Sequence, residues 1–143
     1  MPYPEQMVAP MRAELTTAGV QELRTADEVN EFFNQTEGTA LLLVNSVCGC
    51  AAGSARPGVK QAMNHASRPD RVATVFAGQD LEATARAREL IGDVPPSSPS
   101  VALMKNGELV HFVPRHRIEG QDASTIAQDL TLAFDEHCRT DGR

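Results

Sequence analysis

The sequence predicts an α/β fold in which helices flank a central mixed β-sheet. Apolar segments of strand length alternate with segments of helix-forming composition up to about residue 90. Units of this β-α-β kind pair their strands in parallel through right-handed crossovers. The pair Asn106-Gly107 then separates two further apolar segments, which is typical of an antiparallel hairpin. Both kinds of strand pairing are therefore expected in one sheet.

A helix and a short strand are predicted first. Residues 4–18 place apolar side chains on one stripe and are followed by Gly19, as in an amphipathic helix and its stop. Pro10 lies inside this segment and marks either a kink or the true first turn of the helix. Residues 20–23 predict a short edge strand.

The next helix leads into the central strand. Thr25 followed by Glu28 is a capping-box pattern, which predicts a helix that runs through about Phe33 and ends near Gly38. Residues 41–44 are uniformly apolar. Such a run is expected of a strand that is buried on both faces of a parallel sheet.

A helix and a second buried strand follow the central strand. Residues 51–65 have helix-forming composition, although Pro57 and Gly58 are expected to kink or restart the helix. Residues 71–77 predict the second strand. Asp80 is then a suitable N-cap for another helix.

That helix is predicted to face the core through Leu81, Ala85 and Leu90, which fall roughly on one side. Residues 92–98 are rich in proline and serine and predict a loop. The strands at 100–104 and 109–113 then form the hairpin around Asn106-Gly107.

The last element is a helix that begins after the N-cap Asp122. Its apolar side carries Ile126, Leu130, Ala133 and Phe134. With 143 residues, 41% hydrophobic and 22% charged, the chain has the composition of one globular domain. We expect residues 1–24 to form its N-terminal helix and edge strand, and residues 139–143 to form a flexible tail.

Charge and hydropathy disfavour several functional classes. The net charge of −6 argues against a general nucleic-acid binder, which would carry a basic face. No segment has the apolar length of a transmembrane helix, and the N-terminus lacks the pattern of a signal peptide. We therefore expect a cytoplasmic protein without nucleic-acid or membrane partners.

The main functional signal is the pair Cys48 and Cys50, which is separated by Gly49 at the predicted junction of strand and helix. A helix N-terminus offers free N–H groups and a positive dipole, and both stabilise a thiolate. Paired cysteines in the reducing cytosol are more often redox-active or metal-binding than structural. A disulfide between them would close a small, strained ring, which Gly49 would help the backbone to form. The couple should therefore be relatively oxidising.

The third cysteine, Cys138, lies four residues after Phe134 on the stripe of the last helix. This spacing favours a semi-buried thiol over a third redox partner.

The order of elements, with a cysteine pair after the central strand and a proline before the hairpin, resembles the thioredoxin fold. The segment from Pro99 to Gly107 is similar to the cis-proline strand of that fold and its turn. The resemblance implies a cis Ser98–Pro99 bond that packs beside the cysteines.

A closer resemblance, over nearly the whole chain, is to the bacilliredoxin family. It rests on several segments in the right order: NSVCGCAAG at 45–53, ARP at 55–57, VFAGQD at 75–80, PSSPS at 96–100, HFVPRH at 111–116 with Glu119-Gly120, and residues 134–138. The resemblance implies a cytosolic oxidoreductase that removes bacillithiol, a low-molecular-weight thiol, from mixed disulfides on client proteins. It implies no bound cofactor, with bacillithiol as co-substrate.

The family pattern implies that Cys48 is the nucleophile and Cys50 the resolving residue. The position of Cys48 in the sequence supports its role as nucleophile, because Cys48 lies nearer the strand end than Cys50 and should be the more exposed. One departure concerns the acid that thioredoxins often bury in the central strand, since residues 41–44 carry no ionisable group.

Five further residues are candidates for substrate binding. Bacillithiol carries carboxylates, so Arg56, and also Arg115 or His116, are expected to bind them through charge-assisted hydrogen bonds. Backbone groups of Ser98 and Ser100 are expected to pair with an extended peptide. The alternatives are that the arginines are merely exposed to solvent, and that the prolines only set the shape of the loop.

Two other functions use the same cysteines. One is a disulfide isomerase-like activity. The other is a metal or iron–sulfur carrier, in which the two thiolates act as ligands. A closed zinc site needs four protein ligands, and no cysteine or histidine at standard spacing supplies the other two, so we predict no metal site within one chain.

Overall fold

The computed structural model describes residues 2–138 and shows one five-stranded sheet of order β1-β3-β2-β4-β5. β2 pairs in parallel with β3 and antiparallel with β4, and β5 completes the hairpin with β4. The strands are β1 Gln21–Glu22, β2 Thr39–Asn45, β3 Arg71–Phe76, β4 Ser100–Lys105 and β5 Glu108–Val113. The predicted mixed sheet is therefore confirmed.

Within the described residues, five α-helices cover the two faces of the sheet. They are α1 Glu5–Thr16, α2 Ala26–Asn34, α3 Arg56–Ala62, α4 Leu81–Ile91 and α5 Ala123–His137. A π-helical turn, Ala51–Ala55, precedes α3, and a 3₁₀ turn, Arg115–Arg117, follows β5. Among the described residues, no helix combines the length and apolarity that crossing a bilayer requires.

β2 is apolar along its whole length because its two faces contribute to different cores. Leu41 and Leu43 pack with α3 and α5, whereas Leu42 and Val44 pack with α2 and α4. All seven residues of β2 are buried. Alternate side chains of a strand point to opposite faces, so a strand covered on both sides needs apolar residues at both sets of positions.

The hairpin turn has the geometry that the Asn-Gly pair predicts. Asn106 and Gly107 have φ values of 52° and 84°, and left-handed backbone at both central positions defines a type I′ turn. The turn is also tied to the start of β2, because Asn106 N–H donates to the Gly38 carbonyl and Asn106 Oδ1 accepts from Gly38 N–H.

The predicted N-caps form at Thr25 and Asp122, whose side chains accept from the backbone N–H groups of Glu28 and Thr125. Asp80 occupies the N-cap position of α4, but its side chain makes no capping hydrogen bond. Its carboxylate instead binds the Arg12 guanidinium at 2.7 Å. A buried cation outcompetes the helix end for this carboxylate.

The predicted buried face of α4 is wrong for Leu81 and Ala85, which are exposed, but Leu90 packs against the core as predicted. The buried apolar residues of α4 are Ala83, Ala87 and Ile91, while Leu81 is 57% exposed. The alanines allow α4 to pack closely beside the sheet, and Leu81 in the first turn then projects away from the core. Several boundaries also differ by a few residues, since α2 ends at Asn34 and α3 at Ala62.

The helix bounds decide between the alternatives that the sequence left open at Pro10 and at Pro57. Pro10 lies inside α1, so it does not mark the first turn. Pro57 lies in the first turn of α3, directly after the π-helical turn, which agrees with a restarted helix. The predicted tail at 139–143 lies outside the described residues.

Candidate active site

The cysteine pair lies where β2 passes into the following helix, as the sequence predicts. The Cys48 carbonyl accepts hydrogen bonds from the N–H groups of Ala51 and Ala52, which places Cys48 at the N-cap position of the helical segment. Cys48 and Cys50 are free thiols, and both are half-buried. Their sulfur atoms are 2.7 Å apart.

Cys48 is the more acidic thiol. Burial opposes its ionisation, but hydrogen bonds from the Cys50 thiol, from the Ser46 hydroxyl and from backbone N–H groups outweigh this and lower its pKa to about 7. Ser46 Oγ lies 3.3 Å from Cys48 Sγ and also accepts from Cys48 N–H. About half of the Cys48 side chains are therefore thiolate at pH 7.

Cys50 has the opposite character. Burial, followed by the neighbouring Cys48, raises its pKa. Cys50 packs against the core that β2 shares with α3 and α5, whereas Cys48 lines a surface cleft. Both thiols are half-buried, so the expected greater exposure of Cys48 is not confirmed. The two thiols do differ in what they face and in acidity.

The cleft beside Cys48 has a volume of about 310 Å³. It is bounded by the end of β2, the turn after β3, α4, the loop before β4 and the 3₁₀ turn. Its lining residues are Tyr3, Ser46, Val47, Cys48, Ala77, Gly78, Arg88, Ser98 and Arg115. A cleft of this size is at the lower end of small-molecule sites.

Arg56 does not fit its predicted role in substrate binding. It is 3% exposed, and internal partners occupy its guanidinium. Nε donates to Glu14 at 2.8 Å, and Nη1 donates to Asn45 Oδ1 at 2.9 Å and to the Ser46 carbonyl at 3.0 Å. Because Ser46 in turn contacts Cys48, Arg56 is a positioning residue behind the nucleophile.

The other predicted binding residues lie in three different places. Arg115 and Ser98 line the cleft with Cys48, and Arg115 Nη1 donates to the Ser98 carbonyl at 3.2 Å. His116 lies on an adjoining apolar groove that includes Phe112 and Pro114. Ser100 does not fit peptide binding, because it is 2% exposed and lies opposite Val44 inside the sheet.

Pro99 and Gly49 were predicted to shape the site, and the structure bears on the two predictions differently. The Ser98–Pro99 peptide bond is cis, as the resemblance implied. Gly49 is exposed, and a Cβ built on it would meet nothing within 4 Å. The dithiol form therefore has no steric need for glycine at this position, and the expected role of Gly49 in the disulfide ring stays a prediction.

Sequence reasoning missed three residues that shape the cleft. Ser46 stands two positions before Cys48 in the quoted motif, so its hydroxyl could have been considered as a hydrogen-bond donor. Arg88 is one of two arginines in the sequence of α4, and nothing in the sequence distinguishes it. Tyr3 reaches the cleft through paired hydrogen bonds between its backbone and the Gln79 side chain.

Within residues 2–138, no group of three or more histidine, cysteine and acidic side chains is arranged to hold a metal ion. A metal carried by Cys48 and Cys50 would need ligands from elsewhere. Cys138 is 8% exposed, and burial raises its pKa. It lies by Thr39, at the opposite end of β2 from the cysteine pair, which agrees with a buried thiol.

Comparison with known proteins identifies relatives along nearly the whole chain. A family model described as disulphide isomerase matches residues 3–138. A bacilliredoxin of Salinibacter ruber is 58% identical, over 96% of this chain and 82% of that protein. A bacilliredoxin of Shouchella clausii is 53% identical, over 96% of this chain and 94% of that protein.

Solved structures of more distant proteins share the fold. Fasciola hepatica thioredoxin superimposes with a TM-score of 0.58 and 18% identity, over 82% of this chain and 99% of that one. Mitochondrial thioredoxin 3 of Saccharomyces cerevisiae gives a TM-score of 0.56 and 14% identity, over 86% and 98% of the two chains. The thioredoxin-like fold is therefore confirmed.

Proposed function

The chain belongs to the bacilliredoxin family of thiol–disulfide oxidoreductases, and we propose that it removes bacillithiol from mixed disulfides on proteins. The observation that carries this proposal is the asymmetry of the cysteine pair. Cys48 is acidic and lines a cleft, whereas Cys50 is less acidic and packs inward. Removal of a small thiol needs one sulfur that attacks the mixed disulfide first and a second sulfur that then releases the small thiol.

In the first step, the Cys48 thiolate attacks the bacillithiol sulfur of the mixed disulfide. A new bond joins Cys48 to bacillithiol as the bond to the client breaks, and the client cysteine leaves as a thiolate that takes a proton from water. A thiolate with a pKa near the ambient pH suits this attack, because it is both populated and nucleophilic.

In the second step, Cys50 loses its proton to solvent and attacks Cys48 Sγ. Bacillithiol leaves as a thiolate, and the enzyme is left with a disulfide between Cys48 and Cys50. The pair has then lost two electrons to the mixed disulfide. A thiol reductant from outside the chain must return them before the next cycle.

We also propose that the enzyme works in the cytoplasm without a bound cofactor, with bacillithiol as co-substrate and bacillithiolated proteins as clients. Two free cysteines, one of which is substantially ionised at neutral pH, support a compartment that keeps thiols reduced.

The test is intact-mass analysis of the Cys50→Ala variant after mixing with a bacillithiolated protein. Without the resolving cysteine, the intermediate should accumulate, with one bacillithiol on Cys48 and the client reduced. The Cys138→Ala variant is the matched control, since it removes a buried thiol far from the cleft and should turn over normally. A client that stays modified in the presence of the wild-type chain would contradict the proposal.

A disulfide isomerase-like activity is the second candidate, because the matching family model is described as disulphide isomerase. It would use the same Cys48 thiolate to attack non-native disulfides between protein cysteines. Refolding of a scrambled disulfide protein distinguishes the two functions, since only an isomerase restores native pairing without net reduction.

A further inference from the structure

The cleft beside Cys48 is positively charged, although the chain as a whole carries a net charge of −6. Among its nine described lining residues, Arg88 and Arg115 are the cationic ones, and no carboxylate is present. They approach the cleft from separate elements, since Arg88 belongs to α4 and Arg115 begins the 3₁₀ turn. This concentration of positive charge beside the nucleophile favours an anionic ligand.

Arg88 has unused hydrogen-bonding capacity. Its Nη2 donates to the Ser97 carbonyl at a long distance of 3.4 Å. Its Nε is buried without a hydrogen-bond partner, and no acidic side chain within residues 2–138 forms a salt bridge with it. A guanidinium has five N–H donors, and leaving a buried donor unsatisfied is costly. The Nε donor is inaccessible to a ligand, but no hydrogen bond among the described residues uses Nη1, so its donors remain available to a ligand oxygen.

Arg115 is held at the other side of the cleft but keeps free donors. Nη1 donates to the Ser98 carbonyl at 3.2 Å, and Nη2 binds Glu119 at 3.1 Å. The Glu119 hydrogen bond, followed by the negative charges of Cys50, Glu119 and Cys48, raises the pKa of Arg115. This interaction places the guanidinium within electrostatic range of both reacting sulfurs.

We propose that Arg88 and Arg115 form a carboxylate subsite that binds the low-molecular-weight thiol while its sulfur is joined to Cys48. This inference rests on the proposed function and specifies its substrate as a thiol that carries carboxylate groups. Arginine binds carboxylates through paired, charge-assisted hydrogen bonds. The subsite takes over the role that the sequence suggested for Arg56, which the fold buries.

The experiment compares two mixed disulfides of one client peptide, one with bacillithiol and one with 2-mercaptoethanol, which has no charge. The rate constant kcat/KM is measured for both with the wild-type chain and with Arg88→Gln and Arg115→Gln. Each variant should lose about tenfold with bacillithiol, the size of one charge-assisted interaction. With 2-mercaptoethanol the loss should be clearly smaller, because only the effect of the guanidinium charge on the reacting sulfurs remains.

Arg86→Gln is the matched control, because Arg86 lies on the same helix but binds Asn30 and Glu89 outside the cleft. It should match the wild type with both substrates. A variant that fails to fold does not prevent the test, since the wild-type rate with bacillithiol should fall as sodium chloride increases while the 2-mercaptoethanol rate does not.

The outcomes separate the two proposals. Equal losses with both substrates, or equal salt dependence, would overturn the carboxylate subsite and leave thiol removal standing. No transfer from the bacillithiol mixed disulfide by the wild-type chain would overturn both. A selective loss in both variants would establish the subsite.

Discussion

Replacement of Ser46 by alanine should make the nucleophile less acidic. The Ser46 hydroxyl donates to Cys48 Sγ at 3.3 Å, and it is one of two side-chain donors that lower the pKa of Cys48 to about 7. A hydrogen bond to a charged group contributes about 1.5 kcal/mol, and a tenfold change in acidity corresponds to about 1.4 kcal/mol. The pKa of Cys48 should therefore rise to about 8.

The assay is the pH dependence of alkylation by iodoacetamide, with the Cys48 peptide quantified by mass spectrometry. The thiolate is the reactive form, so a lowered pKa places the rise in rate around pH 7, and loss of the hydroxyl should move the midpoint upward. The midpoint is the quantity to compare, because a more basic thiolate is also intrinsically more nucleophilic. That effect offsets part of the loss in rate at any single pH.

Two variants complete the experiment. Ser46→Thr keeps a hydroxyl and should keep the midpoint near that of the wild type. Ser98→Ala removes a hydroxyl from the same cleft and should leave the midpoint unchanged. A midpoint that stays near pH 7 in Ser46→Ala would refute the assignment of Ser46 as a donor to the thiolate.

Three further predictions concern acidity, packing and the buried arginine. At pH 7 the reduced chain should be alkylated at Cys48 before Cys50, whose pKa is raised; equal labelling of the two residues, located by fragmentation of the peptide that contains both, would contradict the asymmetry. Gly58→Ala places a Cβ 2.7 Å from a side chain of α5 and should lower the free energy of unfolding by about 1–3 kcal/mol in urea titrations. Gly53→Ala, which meets nothing within 4 Å, should change it by less than about 1 kcal/mol. Arg56→Ala should lower the free energy of unfolding by about 2 kcal/mol and raise the pH midpoint of Cys48 alkylation. An unchanged midpoint would argue against a role for Arg56 in positioning Ser46 and Cys48.

Local patterns were sufficient to predict most of the fold. The uniformly apolar run in β2 and the Asn106-Gly107 turn each reflect a constraint that acts within a few residues. The placement of Cys48 at the start of a helix follows in the same way, since the strand ends three residues before it. These predictions did not depend on what packs against each element.

The errors arise where a distant residue decides the outcome. Asp80 has the properties of an N-cap, but the Arg12 guanidinium from α1 binds its carboxylate. Arg56 has the properties of a surface arginine, but Glu14 and the end of β2 enclose it. Arg88 became a candidate only when the fold placed α4 beside Cys48. No pattern within a short segment contains this information.

The cleft also makes reactivity depend on the completed fold. Its walls come from both ends of the sequence, because Tyr3 and Arg115 face the same space as Cys48. During synthesis, Cys48 and Cys50 are made long before Arg115, and an unfolded cysteine has a pKa of about 8.5. Only about 3% of such thiols are ionised at pH 7. An unfolded Cys48 is therefore the less reactive form, because its acidity depends on the folded arrangement of Ser46, Cys50 and the backbone N–H groups around its sulfur, whereas the cleft that receives a substrate also needs Tyr3 and Arg115 in place.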